Sequence, residues 1–513
     1  LFGVRLAVSA GQHGNTRLVA EHGLVMPASM KALGAEVIAF SNHEPHHVNS
    51  MVRYSGLSPR KPGERGGTFG SGFWFDDLKQ AYGYPAISVL NGTGTTVGLL
   101  MSSAAQESDL TLVFNDENFV SSQSGTSIPI PTFTNESVDG ASTVFSVDND
   151  AAAEASLDTQ ASLGSAPGAS GVLYVIPDLS DQSIMDGYKQ IVSDNTVDVA
   201  SSSFGGCDLT YLPAYNGGTD ETYILRDENK VLKQGNAQGI AFVASSGDEG
   251  ALGCVPTSYY PGNPNPENSN FIAGTEGPAE YPNMTGVGGT NLETTITINS
   301  QGDITYDAIY DYELALGDPL IPFDYYGVGA LLANGIWGSG GGKSAIFAQP
   351  AYQHTLFPNS VVRQVPDISM HMGGCPGGIA ASCTAGDSFD YVAIDGGLYG
   401  LIGTSASSPE FAGVVALLVQ KGGGGGPQGA GRVGNINTYI YTKAYNQNLA
   451  GGALAPAAKQ FFHLFIPGYN GVYTSLDSDY SKVLGVGTPQ VANFLKLPQG
   501  TAMAGTPQTP SNP

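Results

Sequence analysis

Gly239-Ile240-Ala241-Phe242-Val243-Ala244-Ser245-Ser246-Gly247-Asp248-Glu249-Gly250 is an apolar run that ends in a glycine-flanked aspartate. Its valine, isoleucine and phenylalanine, bounded by glycines, read as a strand. Working outward, strand-like runs at 95–101, 171–177 and 197–204 alternate with helix-like segments at 150–161, 181–193 and 221–234. That alternation predicts an α/β fold with a mostly parallel sheet flanked by helices. Functional groups in such sheets gather at the carboxyl ends of the strands, where this pattern places Asp248. An ordinary Asx turn would use the same residues.

Gly403-Thr404-Ser405-Ala406-Ser407-Ser408-Pro409 runs straight into the apolar stretch 411–420. A serine between a Gly-Thr turn and a buried helix has its hydroxyl exposed beside backbone N–H groups that can stabilise an oxyanion. That geometry suits acyl transfer. The plainer reading is a helix-capping turn, with Pro409 near the first helical position. The Gly-rich run 422–426 predicts the end of this helix and a loop after it.

A serine nucleophile needs a base. Five of the eight histidines stand at positions 13, 22, 43, 46 and 47, leaving His354, His371 and His463. His13-Gly14-Asn15 looks like the His-Gly-Thr signature of subtilisin. Subtilisin's chain order is Asp, His, Ser, and the first aspartate here is Asp76, so that triad fails. Carboxylates offer a better set. In the run 148–158, Ala, Glu and Leu favour a helix, with Asp148, Asn149 and Asp150 at its N-terminus. Glu154 and Asp158 then share one face, a turn apart, where two carboxyls can share a proton. A solvated acidic face is the alternative.

With these segments in view, the chain resembles the sedolisin family, serine-carboxyl peptidases with a subtilisin-like fold and a Ser-Glu-Asp triad. The resemblance runs from about 70 to 497 and is carried by Glu154 to Asp158, Ser246-Gly247-Asp248 and Gly403-Thr404-Ser405 with Pro409. Framework stretches fit in the same order: Ser202-Ser203-Phe204-Gly205, Gly286-Val287-Gly288-Gly289-Thr290, Trp337 before Ser339 to Ser344, and Arg363 before Pro366-Asp367-Ile368-Ser369. Gly431-Arg432-Val433-Gly434 with Asn437, and Asn470-Gly471-Val472-Tyr473, follow. The resemblance implies an acid-acting endopeptidase for unfolded or extracellular proteins. Ser405 would attack, Glu154 would take its proton, Asp158 would tune Glu154, and a protonated Asp248 would donate to the oxyanion. Ser203, Phe204, Gly205 and Trp337 would contact substrate. A tripeptidyl-peptidase variant and a catalytically silent binding protein on the same scaffold are the alternatives. A serine esterase would need a Gly-x-Ser-x-Gly elbow and a later histidine, for which only His463 follows Ser405.

Sedolisins also carry a propeptide and a calcium site. Residues 1–65 resemble the end of a propeptide and close in a Pro/Gly-rich stretch at 58–67 that reads as a linker or processing site. An integral N-terminal subdomain is the rival reading. The chain opens at Leu1 with no recognisable signal peptide, so upstream sequence is expected to be missing. The peptidase domain is expected over 66–500, with a mobile tail over 501–513. The family's two calcium aspartates fall here at Leu464 and Ser481. Loss of both carboxylates weakens a hard-cation site, although Asp477 and Asp479 lie close enough to substitute. No cofactor is therefore expected to be required.

Composition sets outer limits. The 513 residues include 20 Lys+Arg against 45 Asp+Glu, a formal net charge of -25 that speaks against nucleic-acid or anionic-membrane partners. Hydrophobic residues make up 41%, enough for a large core, and no run is long enough to span a bilayer. With 71 Gly and 31 Pro, many turns and long loop insertions are expected. Four cysteines fall in two groups, Cys207 with Cys254 and Cys375 with Cys383. Bridges there would each add about 2–4 kcal/mol. These features fit a secreted monomer acting on proteins and on its own propeptide.

Overall fold

The computed structural model describes residues 6–10, 16–20, 46–57, 72–121, 129–149, 151–260, 263, 265–298, 300, 304–374, 388–427, 429–475, 480–498 and 501. His13, the 58–67 stretch, Cys375, Cys383, Asp477, Asp479 and the tail from 502 lie outside the described residues.

After an N-terminal hairpin pairing Leu6–Ala10 with Thr16–Ala20, the elements that build the site follow in chain order. They are β1 (His47–Val48), β2 (Met51–Leu57), α1 (Phe75–Ala81), β3 (Thr96–Met101), α2 (Glu107–Ser121), β4 (Thr132–Ser137) and α3 (Ala152–Ser165). Next come β5 (Ser170–Val175), α4 (Asp181–Asp194), β6 (Val199–Ser202), β7 (Phe204–Cys207), α5 (Tyr223–Ala237) and β8 (Ala241–Ser245). The remainder comprises β9 (Thr285–Ile298), β10 (Ile304–Leu316), β11 (Ile368–His371), β12 (Phe389–Ile394), β13 (Gly397–Ile402), α6 (Thr404–Gly422) and α7 (Asn437–Leu449).

The nine-stranded sheet runs β4, β5, β3, β6, β8, β9, β10 and the short strand Gly468–Tyr469, with β11 also paired to β9. From β4 to β9 every neighbour is parallel, and β10 turns back antiparallel on β9. The all-buried Ala-Phe-Val-Ala-Ser of β8 is what a strand covered on both faces requires. The expected strands and helices therefore stand within a few residues of their predicted bounds. The β9–β10 hairpin and the strand β4 are additions that the alternating pattern did not predict.

Helix α3 packs along α6 at the centre of the molecule. The approach is so close that a β-carbon on Gly413 would lie 2.3 Å from Ser165 Cβ and 2.9 Å from the Ser162 carbonyl oxygen. Only glycine fits there. Ser408 Oγ meets Ser201 Oγ at 2.9 Å, tying α6 to β6.

One expectation about α6 is corrected. The helix begins at Thr404, so Pro409 is its sixth residue rather than its first. Proline has no N–H, so the Ser405 carbonyl loses its partner four residues on. Ser203 Oγ stands 3.5 Å from that carbonyl.

The Arg363 to Ser369 stretch is a buried brace. Asp367 takes two bonds from the fully buried Arg363, at 2.6 and 2.5 Å, and others from the Gly286 N–H (2.9 Å) and Tyr441 hydroxyl (2.8 Å). A buried guanidinium needs such a paired carboxylate. Insertions also appear as expected. Residues on either side of the β9–β10 hairpin close over a separate small core of Val255, Tyr259, Tyr260, Phe271, Ala330 and Leu332. A disulfide between Cys207 and Cys254 ties β7 to this region.

Candidate active site

Glu154 and Asp158 lie in successive turns of α3, 1% and 0% exposed. A pair of carboxyls this deep is not a solvated face. Asp158 Oδ1 accepts from Ser203 Oγ at 2.5 Å, and Ser50 Oγ donates to Glu154 Oε2. Burial pushes Glu154 up to about 7, against hydrogen bonds from Ser50 and Ser405 that pull it down. Burial, and then the charge of Glu154, raise Asp158 well above the usual carboxylate range. Two buried acids one helical turn apart cannot both ionise cheaply, so they titrate as a unit.

Ser405 is the second residue of α6 and fully buried; its Oγ donates to the Ser203 carbonyl at 3.3 Å, and it lies near enough to Glu154, whose Oε1 has no hydrogen-bond partner, to pull that carboxyl down. The helix is entered through Gly403 at φ +141, a conformation that side chains rarely adopt. A β-carbon there would stand 2.6 Å from Asp248 Oδ2, so the glycine also lets the carboxyl approach.

Asp248 reaches this point from the loop after β8, near the carboxyl end of the strand, as the sequence predicts. Its Oδ1 accepts from the Thr404 N–H (2.7 Å) and the Thr404 hydroxyl (2.8 Å). Its Oδ2 is buried and has no hydrogen-bond partner. Burial, and then the charge of Glu249, raise Asp248 well above its ordinary value despite the bonds from Thr404. The neutral acid is thus favoured, with one oxygen anchored and the other available to donate. Gly338 N–H holds the Asp248 carbonyl at 2.7 Å. Trp337 comes near the site through this neighbour, while its own indole belongs to the main apolar core.

Ser203, Phe204 and Gly205 are buried and meet the chain's own N-terminal segment. Strand β1 runs antiparallel to β7, pairing Val48 with Phe204 and His47 with Gly205. The Asn49 N–H donates to the Ser203 carbonyl at 3.2 Å, and the Ser405 N–H donates to the Asn49 carbonyl at 3.0 Å. The Asn49 side chain enters a pocket where its Nδ2 donates to Ser245 Oγ (2.9 Å) and Glu276 Oε2 (3.3 Å).

That pocket is acidic. His47 Nε2 pairs with Glu249 Oε1 at 3.2 Å. Burial pushes Glu249 up, but the charge and hydrogen bond of His47, with bonds from Glu276 and the Asp248 N–H, outweigh it and hold Glu249 at about 2. Burial, then the charge and hydrogen bond of Glu249, raise Glu276 far above the usual range. Together these shifts favour the proton on Glu276 and the charge on Glu249, where His47 faces it.

A model of the subtilase family matches residues 140–454. The chain belongs to the subtilase family. It is 29% identical to sedolisin from Pseudomonas sp. (strain 101) over 65% of this chain and 48% of that protein. Against xanthomonalisin from Xanthomonas sp. (strain T-22) the identity is 24% over 77% of this chain and 44% of the relative. Kumamolisin from Bacillus sp. (strain MN-32) is 25% identical over 67% of this chain and 52% of its own length. The chain thus spans about half the length of the curated relatives it matches. A solved Pseudomonas sedolisin, titled a serine-carboxyl proteinase, superposes with a TM-score of 0.59 at 23% identity, covering 83% of this chain and 97% of that one. That likeness concerns the fold. The sedolisin resemblance read from the sequence stands.

His371 is buried 3.5 Å from Asp390, and His463 is stacked on Tyr310 with ring centroids 3.9 Å apart. Burial lowers both to about 3. Neither has a hydrogen bond to Ser405, which disfavours an esterase built on His463. At the positions of the sedolisin calcium aspartates, the Leu464 side chain offers no oxygen, and Ser481 Oγ accepts from the N–H groups of Val483 (3.3 Å) and Leu484 (3.1 Å). Among the described residues, no carboxylate lines the pocket formed by His463, Leu464, Tyr480 and Ser481.

The sequence reading missed Asn49, Ser50, His47, Glu276, Ser245 and Thr404. Thr404 sat in a motif already singled out, where it looked like turn chemistry. Nothing in the spacing of residues 46–50 points to partners 100 or more residues away.

Proposed function

We propose that the chain is an acid-acting serine-carboxyl endopeptidase. The observation that carries this reading is the Asn49 carbonyl: Ser405 N–H binds it on the floor of a cleft formed by Glu154, Asp158 and Asp248. Ser405 Oγ attacks the substrate carbonyl as Glu154 accepts its proton, and Asp158 holds the pair at a single negative charge. The oxyanion takes one hydrogen bond from the Ser405 N–H and a second from protonated Asp248 Oδ2. Glu154 returns its proton to the departing amine, and water then releases the acyl group by the same steps reversed. Unfolded proteins are the substrate class, because binding by strand addition to β7 requires an extended chain. Residues 1–65 are read as propeptide and linker, the enzyme as secreted and monomeric, and no metal as required.

Two protonation demands fix the pH range. Asp248 must keep its proton, so activity falls as pH rises through its pKa. The Glu154–Asp158 pair must have lost one, so activity also falls as pH drops through the first pKa of the pair. Glu154 stands at about 7 with residues 46–50 over it. Uncovering the cleft admits water, which favours the carboxylate and moves that limb into acid. Cleavage of an unfolded protein from pH 2.5 to 7.5 should give a bell with an acidic maximum, unchanged by EDTA. A neutral-to-alkaline maximum overturns the mechanism, and loss of activity in EDTA overturns the metal-free reading.

A further inference from the structure

We propose that His47, Asn49, Glu249 and Glu276 form a site for one zinc ion that clamps the segment 46–50 against β7; this goes beyond the peptidase reading, and no step of hydrolysis passes through the ion. The ligand atoms of His47, Glu249 and Glu276 all lie within 4.8 Å of one another. Tetrahedral zinc with bonds of about 2.1 Å sets its ligands roughly 3.4 Å apart. Two separations are already close to that: His47 Nε2 stands 3.2 Å from Glu249 Oε1, and the Asn49 amide nitrogen 3.3 Å from Glu276 Oε2. The fourth ligand follows from an unmet need. The Asn49 side chain is fully buried, yet its Oδ1 has no hydrogen-bond partner, which an interior seldom tolerates. Half a turn about the Cβ–Cγ bond exchanges Oδ1 for Nδ2. Oδ1 then takes the place beside Glu276, where it can ligate the ion and accept from Ser245 Oγ, 2.9 Å from that position.

The surroundings favour a cation of this class. Among the described residues neither glutamate pairs with a lysine or arginine, so two carboxylates and a neutral imidazole leave a charge that one dication cancels. One imidazole nitrogen with three oxygens suits zinc, whereas calcium takes about six to eight oxygens. The scaffold is rigid. Glu276 stands on a short strand paired to β7, and a β-carbon on Gly205 or Gly247 would fall 2.0 or 2.6 Å from its carboxylate oxygens, so both glycines make room for it. Solvent reaches the cluster from one side: the His47 and Glu249 side chains are 31% and 18% exposed, while Glu276 is buried beneath them. Cys207, Asp208 and Cys254 also lie together, but the disulfide occupies both sulfurs. Two of the four ligands belong to the N-terminal segment and two to the body of the molecule. The ion therefore ties one to the other beside Ser405, whose N–H holds the Asn49 carbonyl. A chain without residues 46–50 keeps only two ligands and loses the site.

The test uses the full chain carrying Ser405→Ala, so that it stays intact, freed of metal with a chelator and titrated with zinc chloride at pH 7 in a calorimeter. One equivalent should bind, and hydrogen exchange at the Asn49 and Ser405 N–H groups should slow on loading. Adding His47→Ala or Glu276→Gln should weaken binding by at least about 100-fold, more than the loss of an outer partner of a metal ligand costs. Cobalt(II) in place of zinc should give the visible bands of tetrahedral coordination, absent in His47→Ala. His47 stands on a partly exposed strand, so its variant should fold, and an unchanged circular dichroism spectrum would show it. No binding overturns the proposal, and so does binding that both variants leave unchanged, because the ion then sits elsewhere. These readouts do not depend on hydrolysis, whereas the peptidase reading is decided by the pH profile and EDTA control described above, so either can fail without the other.

Discussion

Ser405→Ala is expected to lower kcat for peptide hydrolysis by about 10⁵- to 10⁶-fold, with Glu154→Gln nearly as damaging and the double variant no worse than either. The reason for such non-additivity is that nucleophile and base act in one step: once the hydroxyl is gone there is no proton for Glu154 to take. Main-chain binding along β7 remains in both variants, so KM should change little. Glu154→Gln keeps the shape of the side chain and removes the buried acid, whose ionisation burial already disfavours. The fold should therefore survive, and an unchanged melting temperature would show it. Near-wild-type kcat in Glu154→Gln would sink the carboxylate base outright.

Asp248→Asn is the more discriminating change. The amide oxygen can still accept from the Thr404 N–H and hydroxyl, and its NH₂ can still face the oxyanion, but it cannot ionise. The descending limb of the pH profile should therefore shift far towards neutral pH or vanish, while activity at the acidic maximum drops only modestly. Asp248→Ala removes the donor altogether and should cost about 10²- to 10³-fold in kcat at every pH. Profiles of wild type, Asn and Ala variants measured side by side separate a donor from a bystander. An Asn variant whose profile superposes on the wild type would mean that Asp248 does not set the limb.

The parts of this molecule legible in its sequence are those where local pattern and global fold agree. Strand β8 announces itself by a run of apolar residues, and α3 by Ala, Glu and Leu with its two acids four apart. Ser405 was legible because a Gly-Thr turn before an apolar helix is locally odd. Pro409 misled, because its usual place at a helix start hid a helix that begins five residues earlier. The β9–β10 hairpin is built from Thr and Tyr with interspersed acids, a composition that an alternating βα scheme passes over. Glu276 and residues 46–50 were illegible for a different reason: their meaning lies wholly in long-range contacts, and a short polar segment carries no sign of the strand edge it will meet.

The His47–Glu249 ion pair has a consequence for which substrates follow. His47 is the third residue before the Asn49–Ser50 bond, and it supplies the positive charge that Glu249 faces. Where another extended chain takes the place of residues 47–49, that charge is lost, burial pushes Glu249 up, and a cation at the same position is needed to restore the carboxylate. Such a groove draws in cationic chains electrostatically. Peptides carrying Lys, Arg or His three residues before the scissile bond should show higher kcat/KM than those carrying Glu there, an advantage that shrinks as salt is added. Selectivity would then follow charge replacement: the groove prefers chains in proportion to how well they restore the charge that His47 supplies.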